Sequence, residues 1–196
     1  MLKITSFLCL CALSLSYGSP VFPSLVPGLR YQHIQDSKGN VHLSDTWLTI
    51  DSLIESARFN PVQSNVYHLF TRDNPAISQP LLVNNVAILR NSHFSGGRRT
   101  IILIHGWMDS ASSDFTNVLV PAFLAAEDVN VIVVDWSAGA SSVNYRAVIR
   151  NTIASGEAVA DFIRFLNLET ASESRTVSYC GTWFWWSPGW YCGKEP

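Results

Sequence analysis

The sequence predicts an α/β fold with a central, mostly parallel sheet and flanking helices. Thr100–Trp107 and Asn130–Trp136 each contain a run of aliphatic residues that ends at a polar residue, a pattern typical of strands buried on both faces of a parallel sheet. Helical periodicity occupies the stretch between them and the stretch after them. A strand, a helix and a parallel strand joined by a right-handed crossover define this fold class.

Composition and the amino terminus indicate one secreted globular domain. Lys3, the apolar run Ile4–Leu15 and the small residues that follow it form a signal-peptide pattern, with cleavage expected after Gly18. Residues 1–18 are therefore read as a signal peptide, and residues 19–28 as a proline-punctuated leader. The alternative, an uncleaved anchor, is disfavoured because the apolar run is too short to span a bilayer comfortably. A formal net charge of -2 argues against nucleic acid as a partner.

Five segments precede the first aliphatic run. Tyr31–Val41 holds a turn between two short extended pieces, and Asp51–Ala57 has the length of one or two helical turns. Asn65–Thr71 alternates like a strand, with aromatic residues that favour one. Gln79–Leu89 is expected to be extended or mixed, and Ser95–Arg99 to be a solvated loop.

Two helices are predicted after that run. Ser112 or Ser113 is a plausible N-cap for a helix through Glu127, which Pro121 is expected to bend. After the second aliphatic run, Ser137–Ser142 is expected to be a flexible loop. Val143–Leu168 follows as a long helix, in which Gly156 suggests close packing against the sheet. The expected core faces are Phe115, Val118, Leu119, Ala122 and Phe123 in the first helix and Ile149, Ile153, Val159, Ile163 and Leu166 in the second.

The step His105-Gly106-Trp107 stands where the first aliphatic strand ends. Chemistry in open α/β sheets is located at the carboxyl ends of the strands. Backbone N–H groups that face a crevice there could stabilise a developing oxyanion. The alternative is that His105 and Gly106 only form a turn, and these residues alone leave both interpretations open.

Several motifs follow one another in a set order: Tyr67–Arg72 with Asn74-Pro75, His105-Gly106-Trp107, Val131–Gly139, Asn144-Tyr145, and a long helix ending Phe162–Leu166. This ordered set resembles the pancreatic-lipase family of α/β-hydrolases, especially its insect lipase and phospholipase A1-like members. The resemblance covers Leu29–Glu169. It identifies residues 29–170 as the N-terminal part of an incomplete α/β-hydrolase domain.

The resemblance implies a secreted, extracellular hydrolase that cleaves acyl esters of triacylglycerols or phospholipids. Its partners would be lipid esters or the lipid–water interface, and it would need no cofactor or metal. The backbone N–H of Trp107 would belong to the oxyanion hole, with His105 and Gly106 as the supporting loop. The alternative is a secreted lipid-binding or storage protein that uses the lipase scaffold without catalysis.

The catalytic residues that the family requires are missing. The family's nucleophile lies in a Gly-His-Ser-Leu-Gly elbow on the next strand, and its triad Asp and His come later. Ser155-Gly156 is not an elbow because it lies inside a helical pattern, and Asp135 does not match the triad acid. The ring of His105 is expected to orient the loop. Without the triad the chain should be inactive. Without the elbow strand an apolar edge of the sheet and a helix face would stay uncovered, so the chain should fold poorly.

The tail, residues 171–196, differs in composition from the body. Four of the seven tryptophans lie in Trp183–Trp190, and the tail shows neither helix nor strand periodicity. One interpretation is an aromatic patch for a lipid interface, closed by a disulfide between Cys180 and Cys192. A shifted reading frame explains it better. Reading the codons one base later turns Trp183 into a glycine at the nucleophile position and restores a family-like Gly-His-Gly-Phe-Gly elbow.

We predict that the parent gene carries a second frame that begins between Leu168 and Arg175. Tryptophan has a single codon, and Phe184 supplies the T that follows it, so the glycine at Trp183 is forced. Sequencing genomic DNA and messenger RNA of this region should show a longer lipase-like protein. If neither contains a frame that continues into further lipase-like strands, the tail is a genuine terminus and the prediction is wrong.

Overall fold

A computed structural model describes residues 25–36 and 38–170, together with the backbone of residues 178–181. The expected signal peptide, most of the leader, Cys192 and the tryptophan-rich part of the tail lie outside these residues. Within them, no helix has both the length and the apolarity needed to cross a membrane.

The strands form two sheets. The first is an antiparallel hairpin of β1 (Tyr31–Gln35) and β2 (Val41–Asp45), which the predicted turn joins. The second has five strands in the order β4-β3-β6-β5-β7. Its members are β3 (Val66–Phe70), β4 (Gln79–Leu81), β5 (Arg99–Ile104), β6 (Val129–Asp135) and β7 (Ser178–Gly181).

Six helices accompany the sheets in the described residues: α1 (Ile50–Arg58), α2 (Pro61–Ser64), α3 (Val86–Arg90), α4 (Asp114–Ala126), α5 (Ser137–Ala140) and α6 (Tyr145–Thr170). The hydroxyl of Ser113 accepts a hydrogen bond from the Thr116 backbone N–H, so Ser113 is the N-cap of α4, as predicted. α4 continues across Pro121 to Ala126. The bounds of α1 and α6 agree with the prediction to within two residues.

The five-stranded sheet is mixed and not mostly parallel. β5 pairs in parallel with β6 and with β7, whereas β3 pairs antiparallel with both β6 and β4. The connection between β3 and β4 is too short for the crossover that a parallel pair requires, so these strands form a hairpin. The parallel strand–helix–strand unit β5-α4-β6 is present as expected.

The two faces of this sheet carry separate hydrophobic clusters. Alternate residues of β5 and β6 point to opposite faces. Ile102, Ile132 and Leu69 pack on the α6 side, where the ring of Tyr67 stacks on Phe162 at 3.8 Å between centroids. The α4 side buries Ile101, Leu103, Val131 and Val133 against Val120 and Leu124.

The inner face of α6 differs from the predicted one. Ile153 is 62% exposed, and Gly156 is exposed with nothing within 4 Å of an added Cβ, so it makes no close approach to the sheet. Buried polar residues take the inward positions instead. The amide of Asn151 donates to the Gly139 carbonyl at 3.0 Å, and the Ser155 hydroxyl donates to the Asn65 side chain at 3.4 Å. Apolar periodicity therefore misplaced Ile153, whereas Val159 and Leu166 are buried and Ile149 and Ile163 pack against the core, as predicted.

A similar shift occurs in α4. Its buried residues are Thr116, Val120 and Leu124, whereas Val118 is 65% exposed. Phe115, Leu119 and Phe123 of the predicted face are partly buried and pack at the edge of the cluster on the α4 side. The buried face of α4 is narrow because the helix packs on β5 and β6 only, so few of its residues contact the sheet.

Ser137–Ser142, expected to be a flexible loop, contains the short helix α5. Gly139 and Ala140 are buried within it. A Cβ at Gly139 would lie 2.6 Å from the Phe59 ring, so only glycine allows this approach. The small residues that suggested flexibility in fact permit tight packing.

The tail contains a strand that the sequence did not predict. β7 lies beside β5 in parallel register, from Ile101 opposite Ser178 to Ile104 opposite Gly181. The free edge of β5 that we expected from the missing elbow strand is therefore covered along these four residues. A short run of mixed residues lacks periodicity, and pairing with an existing strand edge supplies what its own sequence does not.

The core assignment predicts a contrast between two aliphatic residues. Leu103 is fully buried, so Leu103→Ala should lower the free energy of unfolding by about 2–5 kcal/mol. Ile153→Ala is the matched control and should change it by about 0.5 kcal/mol or less, because Ile153 lies on the surface. Urea denaturation followed by circular dichroism measures both. Equal losses for the two variants would contradict the assigned faces.

Candidate functional site

The turn His105–Trp107 lies where β5 and β6 end together. β5 ends at Ile104, which is opposite Val134 in the parallel register, and β6 ends one residue later at Asp135. Both strands therefore deliver their following residues to the same edge of the sheet. The sequence-predicted site residues meet there with groups from β6, α5 and the β1–β2 hairpin.

The imidazole of His105 is completely enclosed and connects this turn to β6. Its side chain is 0% exposed. Nδ1 lies 3.0 Å from the Gly106 carbonyl oxygen, and the Trp136 backbone N–H donates to Nε2 at 3.1 Å. The Trp136 indole N–H donates to the His105 carbonyl at 2.8 Å, and the two rings stack. These contacts fix the direction in which the chain leaves β5.

The carboxylate of Asp135 contacts both the His105 ring and the start of α5. Its Oδ1 lies 3.2 Å from His105 Nε2 and accepts a hydrogen bond from the Ser137 backbone N–H at 2.9 Å. Burial raises the pKa of Asp135, but the adjacent His105 ring and the hydrogen bonds from Ser137 outweigh burial and hold the pKa well below its usual range. The carboxylate therefore stays ionised and is occupied in binding the turn and the start of α5.

The side chain of Trp107 is buried and anchors the end of the turn. Its indole N–H donates to the Ser142 carbonyl at 2.7 Å, and its ring meets the ring of Tyr145 edge-on at 5.6 Å. Ser142 and Tyr145 flank the start of α6, so the first turn of that helix helps to position Trp107. The role of the Trp107 backbone N–H in an oxyanion hole concerns its contact with a bound ester, and it stays a prediction.

The chain turns sharply at Met108. Its φ of 57° lies in the left-handed region, which is unusual for a residue other than glycine. The Met108 N–H donates to the Ala140 carbonyl at 3.1 Å, which ties the turn to α5. Backbone strain of this kind costs of order 1–3 kcal/mol and persists where surrounding contacts impose it.

The β1–β2 hairpin covers the turn from outside, a contact that the sequence did not predict. His42 packs on Trp107 with 5.1 Å between ring centroids, and its Nε2 lies 2.8 Å from Asp36 Oδ2. Lys38 pairs with Asp109 at 3.5 Å, and the Asp109 side chain is only 4% exposed. The sequence marked Asp36 and Lys38 only as turn residues, because nothing local reveals a partner about 70 positions away.

Asp36 is held ionised by the hairpin itself. Burial raises its pKa, but hydrogen bonds from His42, Asn40 and Lys38 lower it by more, so the pKa lies below its usual value. This carboxylate orders the hairpin turn and orients the His42 ring towards Trp107.

Neither the elbow motif of the family nor a metal-binding cluster is found in the described residues around the turn. No Gly-x-Ser-x-Gly sequence occurs in the 196 residues. Ser155 lies within α6, bonded to Asn65. In the described part of the chain, no group of three or more His, Cys, Asp or Glu residues could hold a metal ion.

A family model described as Lipase matches residues 34–182 of this chain. The chain belongs to the lipase family. The match runs from β1 through the His105–Trp107 turn and α6 into β7, so it includes every element that builds the site. It confirms the pancreatic-lipase resemblance of the motif order.

Three curated relatives illustrate the similarity. Pancreatic triacylglycerol lipase of Mus musculus is 29% identical over 134 residues, which cover 68% of this chain and 28% of that protein. Lipase member H of Xenopus tropicalis is 36% identical over 97 residues, 49% of this chain and 20% of that protein. Inactive pancreatic lipase-related protein 1 of Homo sapiens is 31% identical over 113 residues, 58% of this chain and 24% of that protein. This lipase-family chain thus spans about a quarter of its relatives' length.

The low pKa of Asp135 predicts an acid-sensitive fold. Because the pKa is lower in the folded than in the unfolded chain, ionised Asp135 contributes stability above the unfolded-state value of about 3.9. That contribution is lost as the pH falls from about 4 towards the folded pKa. Asp135→Asn should therefore lower stability at neutral pH and flatten its decline below pH 4.

Denaturation midpoints across the acid range measure this effect. Asp51→Asn is the control, since Asp51 is exposed at the start of α1. An acid-range decline for Asp135→Asn as steep as that of the unmodified chain would show that Asp135 does not carry the pH dependence.

Proposed function

We propose that this chain is a secreted lipase-family protein that retains the oxyanion side of an acyl-ester site but does not hydrolyse esters. The observation that carries the proposal is the His105–Trp107 turn, enclosed at the carboxyl end of β5 and fixed from β6, α5 and the hairpin. Its contacts belong to the fold, so they persist without a catalytic nucleophile.

The geometry of the turn suits a role for the Trp107 backbone N–H. An oxyanion hole requires donors whose positions are set before the reaction, about 2.7–3.1 Å from the developing charge. The Trp107 indole donates to the Ser142 carbonyl, the Gly106 carbonyl contacts the His105 ring, and the Met108 N–H donates to the Ala140 carbonyl. The backbone between them has little freedom, which supports a preorganised donor.

The serine hydroxyls near the turn support inactivity. The Ser142 hydroxyl donates to the Glu55 carboxylate, and the hydroxyls of Ser110 and Ser112 contact each other. Neither His105 nor His42 contacts a serine hydroxyl within the described residues. A serine nucleophile of the triad type needs an imidazole within hydrogen-bonding distance, and Ser110, Ser112 and Ser142 contact no histidine ring in the described residues.

The division of the chain follows from the same proposal. Residues 1–18 would be the signal peptide, 19–28 a leader, 29–170 the N-terminal part of the hydrolase domain and 171–196 a frame-shifted tail, although the Lipase match continues to residue 182. The described part of the leader already joins the fold, since Leu25 packs against the core on the α6 side. Secretion and the shifted frame rest on sequence patterns.

The second candidate is a secreted lipid-binding or storage protein on the lipase scaffold. It is favoured by the position of Trp107, since a preorganised donor at the end of β5 could bind a lipid ester without cleaving it. A relative named as inactive shows that the family includes a protein without the activity. Lipid binding without turnover would distinguish this candidate from a fragment with no function of its own.

We expect the purified chain to show no hydrolysis of p-nitrophenyl butyrate above the buffer rate, because an oxyanion hole without nucleophile and base gives little catalysis. Labelling with a fluorescent fluorophosphonate should be absent as well, and flotation with triolein emulsion reports lipid binding separately. Turnover that survives purification and is abolished by the phosphonate would overturn the proposal.

A further inference from the structure

One side of the large sheet is only partly covered in the described residues. α4 lies over β5 and β6, and no described helix covers β3 on this side. Tyr67 and Leu69 of β3 face α6, so His68 and Phe70 face the α4 side. A cavity of about 400 Å³, open to solvent on one side, lies between these two side chains and α4.

The chemistry of the cavity wall is mostly apolar and uncharged. Phe70, Pro75, Val120 and Pro121 provide hydrocarbon surface, while His68 and Asn117 provide polar atoms. None of the residues that line the cavity is a carboxylate, a lysine or an arginine. Ligand sites in proteins have volumes of roughly 300–1,000 Å³, with mainly apolar walls and a few fixed polar groups.

His68 is the fixed polar group of this cavity. Its Nδ1 lies 3.0 Å from the Ser78 hydroxyl oxygen, and the ring is half-buried on β3. Its Nε2 has no hydrogen-bond partner in the part of the chain that the structure describes. The contact with Ser78 sets the ring orientation and leaves the other nitrogen for a ligand.

The cavity is separate from the turn at Trp107. Trp107 belongs to the hydrophobic cluster on the α6 side, whereas Phe70 and Val120 belong to the cluster on the α4 side. The sheet lies between the cavity and the Trp107 side chain, although Ala111 and Ser112 of the loop that follows the turn line the cavity. A ligand in the cavity would therefore not occupy the proposed ester crevice.

We propose that this cavity is a second lipid site, which binds a neutral, hydroxyl-bearing single-chain amphiphile such as a short monoacylglycerol. The hydrocarbon chain packs on Phe70 and Val120, and a hydroxyl group bonds with His68 Nε2. A fatty-acid anion fits less well, because no lysine or arginine lines the cavity to pair with its carboxylate. The site does not depend on whether the Trp107 turn supports catalysis.

The test uses the full chain and two probes below their micelle concentrations, 1-monooctanoylglycerol and octanoate, with titration calorimetry and NMR of the His68 ring. Monooctanoylglycerol should bind saturably, shift the His68 resonances and bind more tightly than octanoate. His68→Phe should weaken it about two- to tenfold, the range expected for one neutral hydrogen bond.

Two neighbouring tryptophan substitutions separate the cavity from the surface. Ala76 lines the cavity, so Ala76→Trp should fill it and weaken monooctanoylglycerol binding about tenfold, equivalent to about 1.4 kcal/mol. Ile77 is 80% exposed and does not line the cavity, so Ile77→Trp should leave binding within about twofold, well under 1.4 kcal/mol. Both positions are on the surface, so both variants should fold.

Three results would overturn the proposal. The first is non-saturable uptake of monooctanoylglycerol, or none. The second is octanoate binding as tight as that of the neutral probe. The third is an equal effect of Ala76→Trp and Ile77→Trp, since binding would then not involve the cavity.

Discussion

The contacts of one buried imidazole determine the arrangement of the predicted site. The ring of His105 follows β5 in sequence, and it bonds with the Trp136 backbone just beyond β6 and with the carbonyl of Gly106. Parallel strands diverge where they end, and the chain could leave β5 in several directions. A ring that is enclosed and bonded at both nitrogens permits only one of them. The position of Trp107, the pairing of Met108 with α5 and the contact with the hairpin all follow from that direction.

This dependence means that the geometry of the turn does not rely on any catalytic group. The groups that hold the turn are a carboxylate at the end of β6, an indole, two backbone carbonyls and the ion pair of Lys38 with Asp109. Each of them stabilises the folded chain whether or not an ester is cleaved. Selection for stability alone would therefore preserve the turn. The turn is thus weak support for catalysis, but it is good support for a scaffold shared with the lipase family.

The sequence predicted the elements that local residue patterns determine, and it missed the contacts that depend on packing between distant parts of the chain. The aliphatic runs of β5 and β6 and the Ser113 cap were predicted correctly, because burial on both faces and capping leave local signatures. Ile153 and Gly156 were misplaced because buried Asn151 and Ser155 took the inner face of α6. The helix at Ser137–Ala140 was missed because its small residues accommodate Phe59, which comes from far away in sequence. The contact between His42 and Trp107 likewise has no local signature.

Hydrogen exchange at two backbone amides tests the role of His105 most directly. His105→Phe keeps a ring of similar shape and removes both nitrogens, while His93→Phe, at an exposed position, is the control. If the imidazole fixes the turn, the Trp136 and Met108 amides should exchange about tenfold faster or more in His105→Phe, and amides within β5 should keep their protection. Unchanged protection of Trp136 and Met108 would show that the turn holds its shape without His105, and would contradict the account.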